Sequence, residues 1–286
     1  ALRERLIPIN APETAMDVCG TGGDGHHTLN ISTAVSLVVA ASGVPVAKHG
    51  NRAASSKSGT ADTLEQLGLD MDAAGRTAEK TLSEIGICFL FAKNHHPAMG
   101  RIQPIRQRLG TRTIFNLMGP LSNPARIRRH LVGIARPAYV PIYAEAMARL
   151  GTALSWVVSG DEGLDELSLA GGNEMAEVRG ADYEMHRISA DDAQIPHSPV
   201  SAIRGGDPAH NAAALKALLD GASGAYRDAV VFNAAAAFLV AEETDPERTG
   251  PEGHGHDWAS ATARAKESLD SGAAKNLLAR WIELAQ

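Results

Sequence analysis

Between Asp24 and Asp62 the chain carries no acidic residue, and that interval opens at a glycine-rich turn, Gly20-Thr21-Gly22-Gly23-Asp24-Gly25. A short apolar segment over 15–19 leads into the turn and an Ala/Val-rich stretch over 30–42 leads away from it. This pattern predicts a strand, a glycine loop and a helix. The spacing Gly20-x-Gly22-x-x-Gly25 formally satisfies a dinucleotide fingerprint. That fingerprint also needs an acid about 20 residues later for the ribose hydroxyls, and none is present. The interval instead holds Lys48, Arg52 and Lys57 with Thr28, Asn30, Ser32, Thr33, Ser55, Ser56, Ser58 and Thr60. Backbone N–H groups, hydroxyls and cations in one stretch suit phosphate oxygens. Ser56-Lys57-Ser58-Gly59 lacks the Gly-Lys-Ser/Thr ending of a Walker loop, which argues against a nucleoside triphosphatase. His26 and His27 read as exposed loop histidines, and Cys19 as a small buried hydrophobe.

Downstream, strands are predicted over 44–48, 87–92, 131–135 and 154–159, and helices over 61–67, 77–86, 140–150, 211–219 and 228–241. Alternating strands and helices predict an α/β fold with a mostly parallel central sheet flanked by helices. With 286 residues, 44% of them hydrophobic, the chain can bury a sizeable core. The pattern changes over 97–121, where one connection carries two helical pieces, enough for a small helical lobe. The start, Ala1-Leu2-Arg3-Glu4-Arg5-Leu6, reads as the middle of a helix, so the helical domain is expected to be N-terminally truncated. The polar, Gly- and Pro-rich stretch 244–256 is expected as a long exposed loop.

Composition excludes several function classes. No run approaches the roughly 18 apolar residues that cross a bilayer, and no leader pattern directs the chain to secretion. Two cysteines, Cys19 and Cys88, exclude a disulfide framework and point to a reducing cytoplasm. The net charge of -6 argues against a protein that coats nucleic acid, and 4% aromatic residues leave little for base stacking. A polyanion held on phosphate contacts usually carries a divalent cation, which wants carboxylates. Asp165 and Glu166 in Gly163-Leu164-Asp165-Glu166-Leu167-Ser168 follow a predicted strand, at the sheet edge where α/β sites open.

The runs Asp17-Val-Cys-Gly-Thr-Gly-Gly-Asp-Gly, Asn30-Ile-Ser-Thr, Lys48-His-Gly-Asn-Arg, Ser55-Ser-Lys-Ser-Gly, His95-His-Pro-Ala-Met, Arg112-Thr-Ile-Phe-Asn-Leu-Met-Gly-Pro-Leu and Gly163-Leu-Asp-Glu-Leu-Ser closely resemble the anthranilate phosphoribosyltransferases. The resemblance covers nearly the whole chain. It implies transfer of the 5-phosphoribosyl group from 5-phosphoribosyl 1-diphosphate to anthranilate, in tryptophan biosynthesis. It places the donor on Gly20, Gly23, Asp24, Thr28, Asn30, Ile31, Ser32, Thr33, Lys48, His49, Gly50, Asn51, Arg52, Ala53, Ala54, Ser55, Ser56 and Thr60. The acceptor is expected at Gly20, His49, Asn51 and Arg106, and Mg²⁺ at Ser32, Asp165 and Glu166. The resemblance further implies a helical domain from 1–11 and 95–124, an α/β donor-binding domain from 12–94 and 125–286, and a homodimer paired through the helical domain. Neither nucleic acid nor membrane is expected as a partner. Lys93 departs from the family pattern, which commonly has Pro after Phe-Ala, on the acceptor path. The rivals are a nucleoside phosphorylase of the same fold, disfavoured by the Arg106 segment and Gly163-Leu-Asp-Glu, and a non-enzymatic nucleic-acid-binding relative, disfavoured by the net charge and the intact phosphate loop.

Overall fold

The computed structural model describes residues 2–53, 57–109, 111, 113–242 and 256–286, without the side chains of Arg101, Gln103, Arg106, Gln107 and Glu242. The chain opens with β1 (Met16–Gly20), α1 (Ile31–Ala41), β2 (Val46–Gly50), α2 (Thr60–Gln66), α3 (Met71–Arg76), α4 (Ala78–Ile85) and β3 (Ile87–Phe91). Next come α5 (Ala92–His95), α6 (Pro97–Leu109), β4 (Arg129–Gly133), α7 (Val140–Arg149), β5 (Leu154–Gly160), β6 (Asn173–Arg179) and β7 (Asp182–Ile188). The helices α8 (Pro208–Leu219), α9 (Ala225–Glu242), α10 (Trp258–Asp270) and α11 (Ala273–Leu284) follow. The sheet runs in the order β3-β2-β1-β4-β5-β6-β7. It is parallel from β3 to β5 and antiparallel from β5 to β7, which matches the expected mostly parallel α/β fold.

The burial explains the strand sequences. β3, Ile-Cys-Phe-Leu-Phe, is buried at every position, as a parallel strand covered on both faces must be. α1 is nearly apolar all round because it is sandwiched, with strands on one side and α9, α10 and α11 on the other. The run Ala234, Ala235, Ala236 and Ala237 in α9 is fully buried, and these small side chains allow close helix packing.

Strand order reverses between β1 and β4, the kind of crevice where ligands bind in open α/β sheets. β1 pairs β4 from Met16 opposite Arg129 to Gly20 opposite Gly133, but meets β2 in register at Met16 opposite Val46.

Beside α3, which lies between the expected helices 61–67 and 77–86, further local features differ from the sequence expectation. The β6–β7 hairpin was not expected; it turns through Gly180 and Ala181, with Gly180 at φ 59°. Its outer strand carries exposed Tyr183 and Met185 among charged residues, which hides the strand signal. The second helical piece over 97–121 shrinks to 3₁₀ turns at Ile114–Asn116 and Pro120–Ser122, where Pro120 has no N–H to continue a helix. Residues 2–6 form a turn, with Arg5 N donating to Leu2 O at 3.1 Å. The loop expected at 244–256 lies outside the described residues except for His256.

Candidate active site

The glycine loop leaves β1 at Gly20 and takes positive φ at Gly22, Gly23 and Gly25, which side chains rarely tolerate. Facing it is the loop after β5. Leu164 and Leu167 are fully buried there, and Asn233 of α9 grips the Leu167 backbone from both sides, accepting from its N–H and donating to its carbonyl, each at 2.9 Å. These anchors present Asp165 and Glu166 at the C-terminal ends of β1 and β4. Asp165 sits where two glycines face each other across the strands: a Cβ on Gly20 would come within 2.8 Å of Asp165 Cγ, and one on Gly133 would overlap the Asp165 carbonyl.

The loop accepts the carboxylates through its backbone. Gly22 N donates to Asp165 Oδ2 at 2.6 Å, and Ser32 N at the start of α1 donates to Glu166 Oε1 at 3.3 Å. His26 Nε2 donates to the Glu162 carbonyl at 3.0 Å, stitching the two loops together. Burial, then the neighbouring Asp24 and Glu166 carboxylates, pushes Asp165 well above the usual carboxylate range. Burial likewise pushes Glu166 up to about 7, with Lys48 and Ser32 opposing. Among the described residues no three His, Cys, Asp or Glu side chains form a ready-made metal site. Two carboxylates raised in this way, beside a hydroxyl, are the donors a hard cation would relieve.

Around α1 and α2 several of the expected donor residues are held by hydrogen bonds. Asn30 Oδ1 accepts from Thr63 Oγ1 at 2.6 Å and from Asn211 Nδ2 at 2.9 Å. Thr33 and Thr60 hydroxyls meet at 3.4 Å. Leu29 N donates to Ile203 O, and Thr28 bridges Arg204. Asp62 accepts from Ala53 N and Gly59 N, folding the loop after β2 over the start of α2. Two basic residues are engaged within the protein. Lys48, 2% exposed, donates from Nζ to Val18 O at 2.7 Å, and burial lowers its pKa. Arg52 binds Asp62 at 3.1 Å and Glu65, and lies over the Phe91 ring at 5.6 Å. Ala54, Ser55 and Ser56 lie outside the described residues, as does the Arg106 side chain on α6.

At the C-terminal end of β2 opens a cleft of about 950 Å³ whose lining includes His49, Asn51, Lys93, His96, Met118 and Gly119, but not Gly20, which was also expected at the acceptor. His49 and Asn51, both expected at the acceptor, thus share one wall, and Lys93 lines the same space. His49 Nδ1 meets the Gly119 carbonyl at 3.1 Å and its Nε2 meets His96 Nε2 at 3.2 Å. A carbonyl only accepts, so His49 carries its proton on Nδ1 and takes a hydrogen bond from His96 Nε2–H. Burial, then His96, pushes the His49 pKa down to about 3. Among the described residues His96 Nδ1 is left a buried acceptor with no partner.

Sequence reading missed Gly133, Asn233, His96 and Gly119. A lone glycine ending the strand Arg-His-Leu-Val-Gly signals close backbone approach, and a lone Asn within an Ala/Val-rich helix signals a buried polar contact.

A sheet with a glycine loop at its switch point, facing two carboxylates across a paired-glycine gap, is a ligand-binding α/β site. The family model described as "Glycosyl transferase family, a/b domain" matches residues 12–275. The chain is 72% identical over 285 residues to the anthranilate phosphoribosyltransferase of Erythrobacter litoralis, covering 100% of this chain and 83% of that protein. The solved anthranilate phosphoribosyltransferase of Thermus thermophilus superposes with a TM-score of 0.89 at 39% identity, covering 99% of this chain and 82% of that one. The Saccharomyces cerevisiae enzyme, solved in complex with PRPP and Mg, gives 0.87 at 26% identity over 99% and 77% of the two chains. The chain belongs to the anthranilate phosphoribosyltransferase family.

Proposed function

We propose that this chain transfers the 5-phosphoribosyl group of 5-phosphoribosyl 1-diphosphate to the amino group of anthranilate, releasing diphosphate and N-(5-phosphoribosyl)anthranilate in tryptophan biosynthesis. The observation that carries the reading is the seat of Asp165 between Gly20 and Gly133, with Glu166 on Ser32 N–H, in a fold that also opens a cleft lined by His49 and Asn51. Bond breaking at ribose C1 leads, so the protein must stabilise the leaving diphosphate and aim a neutral nucleophile at the opposite face. The glycine loop and the start of α1 supply N–H groups for the phosphates, those of Gly22 and Ser32 being held by Asp165 and Glu166 in this structure. Asn30, Thr33 and Thr60 fix that surface through their hydrogen bonds. Ser32, Asp165 and Glu166 would hold Mg²⁺, whose few protein ligands are completed by water and substrate phosphates. Bound there, the cation supplies positive charge to the leaving group.

The acceptor enters the cleft and meets the wall of His49 and Asn51, with Arg106 gripping the anthranilate carboxylate. The aryl amine is already neutral, so no strong protein base is required. The same reading divides the chain into a helical domain of 1–11 with 95–124 and an α/β domain of 12–94 with 125–286. Ile7 N donates to His95 O at 2.9 Å and Ile9 N to Pro124 O at 3.3 Å, joining the two pieces of the former. Exposed Ile105, Leu109 and Ile114 on that helical segment support pairing into a homodimer. Two buried, unpaired cysteines suit a reducing cytoplasm, and no helix among the described residues is long and apolar enough to cross a membrane. Incubation with anthranilate, 5-phosphoribosyl 1-diphosphate and Mg²⁺ should quench anthranilate fluorescence. Phosphate-dependent cleavage of a nucleoside without that loss would overturn the assignment.

A further inference from the structure

Behind His49 lies a carboxylate that is not part of the cleft lining. Asp17 on β1 is fully buried, and a buried carboxylate persists only when donors surround it. Its donors come from three segments. Oδ1 accepts from the His49 backbone N–H at 3.2 Å, and Oδ2 accepts from Asn123 Nδ2 at 2.8 Å and Cys19 Sγ at 3.5 Å. Asn123, 5% exposed, is engaged at both ends of its amide. Nδ2 also donates to the Ala47 carbonyl at 2.8 Å, and Oδ1 accepts from Ala125 N at 2.8 Å. These bonds fill the place where β1 and β2 diverge beyond Met16 and Val46. They also fasten the turn beginning at Gly119 to β2, and Gly119 O takes the His49 Nδ1 proton. The connection is closed: His49 side chain to Gly119, along the turn to Asn123, through Asp17, and back to the His49 backbone.

We propose that Asp17 and Asn123 are positioning residues for the acceptor, together setting the separation between the cleft wall at His49 and the wall at Met118 and Gly119. The proposal rests on reading the cleft as the anthranilate path. Neither side chain lines the cleft; both act through His49 and Gly119. A cluster that merely held the fold together would weaken donor and acceptor sites alike. This one joins β2 to the acceptor wall, so its loss should fall on the acceptor.

The test is Asn123→Ser. A serine hydroxyl still accepts from Ala125 N–H and keeps the turn, but is too short to reach both Asp17 and Ala47. The Michaelis constant for anthranilate should rise about ten-fold, or ~1.4 kcal/mol, while that for 5-phosphoribosyl 1-diphosphate stays within about two-fold. In ¹⁵N-histidine spectra without substrate, His49 should change from the Nδ1–H tautomer to a mixture. Equal rises in both constants, or an unchanged anthranilate constant with an unchanged His49 tautomer, would overturn the proposal. If Asn123→Ser does not fold, Asp17→Asn is judged by the same split, since its amide has one acceptor oxygen and its NH₂ must face a donor, either Asn123 Nδ2 or the His49 N–H. Failure of the wild-type chain to use anthranilate would remove the acceptor reading alone, and the His49 tautomer then decides the clamp by itself.

Discussion

Gly133→Ala places one methyl group where β4 meets the loop that carries Asp165. The new Cβ would overlap the Asp165 carbonyl and lie 3.0 Å from Glu166 N. Non-bonded heavy atoms settle near ~3.5 Å, so the Asp165 backbone must retreat by more than about 1 Å. Its anchors oppose that movement, because Leu164 and Leu167 are buried and Asn233 holds Leu167 at both polar groups. Overpacking of this kind destabilises by about 1–3 kcal/mol, which lowers Tm by a few degrees without unfolding the chain. The larger effect falls on catalysis. A displacement of about 1 Å costs on the order of 10²-fold in rate, or ~2.7 kcal/mol of transition-state stabilisation. Initial rates of anthranilate fluorescence loss, taken across Mg²⁺ concentrations beside a thermal melt, measure both quantities. Gly171→Ala is the control: its Cβ would meet nothing closer than Asp161 Oδ2 at 4.0 Å. If Gly133→Ala kept kcat/KM within about three-fold of wild type with the same Mg²⁺ requirement, the placement of Asp165 would not matter to the reaction.

Replacing Asp165 and Glu166 together by Asn and Gln should lower turnover by at least about ten-fold and blunt its Mg²⁺ dependence; a titration with unchanged Mg²⁺ response would count against the metal assignment. Arg106→Ala should raise the Michaelis constant for anthranilate about ten- to a hundred-fold, the loss of one charge-assisted hydrogen bond, and leave donor binding nearly untouched. Similar small effects from Arg106→Ala and Arg101→Ala would show that Arg106 does not hold the acceptor. His130 is buried neutral, and burial, then Arg3, pushes its pKa from 6.5 down to about 3. The unfolded chain takes up a proton below the ordinary histidine pKa and the folded chain does not, so stability present above pH 6.5 drains away as pH falls toward 3. His130→Asn, which keeps a polar partner for the Ser155 hydroxyl, should remove about 1.4 kcal/mol per pH unit of that acid dependence. Urea midpoints of the two proteins running parallel through this range would contradict it.

The sequence by itself determined the parallel strands with most of their helices and the conformation of the glycine loop. Gly20 to Gly25 between an apolar strand and a helix, followed by an acid-free interval, is local information: positive φ at the glycines follows from residue type. The buried strands were legible because parallel strands are apolar on both faces. The β6–β7 hairpin was not, since its exposed outer strand is held by register against β6 and shows little apolar pattern of its own. What only the tertiary structure decided is which distant residues meet. Gly133 is an ordinary strand residue until register sets it opposite Gly20 and the loop after β5 drops Asp165 between them. Asn233 and Asn123 are lone amides whose partners lie 66 and 106 residues away. Lys48 and Arg52 carry charge that suits phosphate contacts, and the fold adds partners that residue type alone does not show, Val18 O for the one and Asp62 with Glu65 for the other. Residue type states what a side chain can bond to; only packing states which partner reaches it.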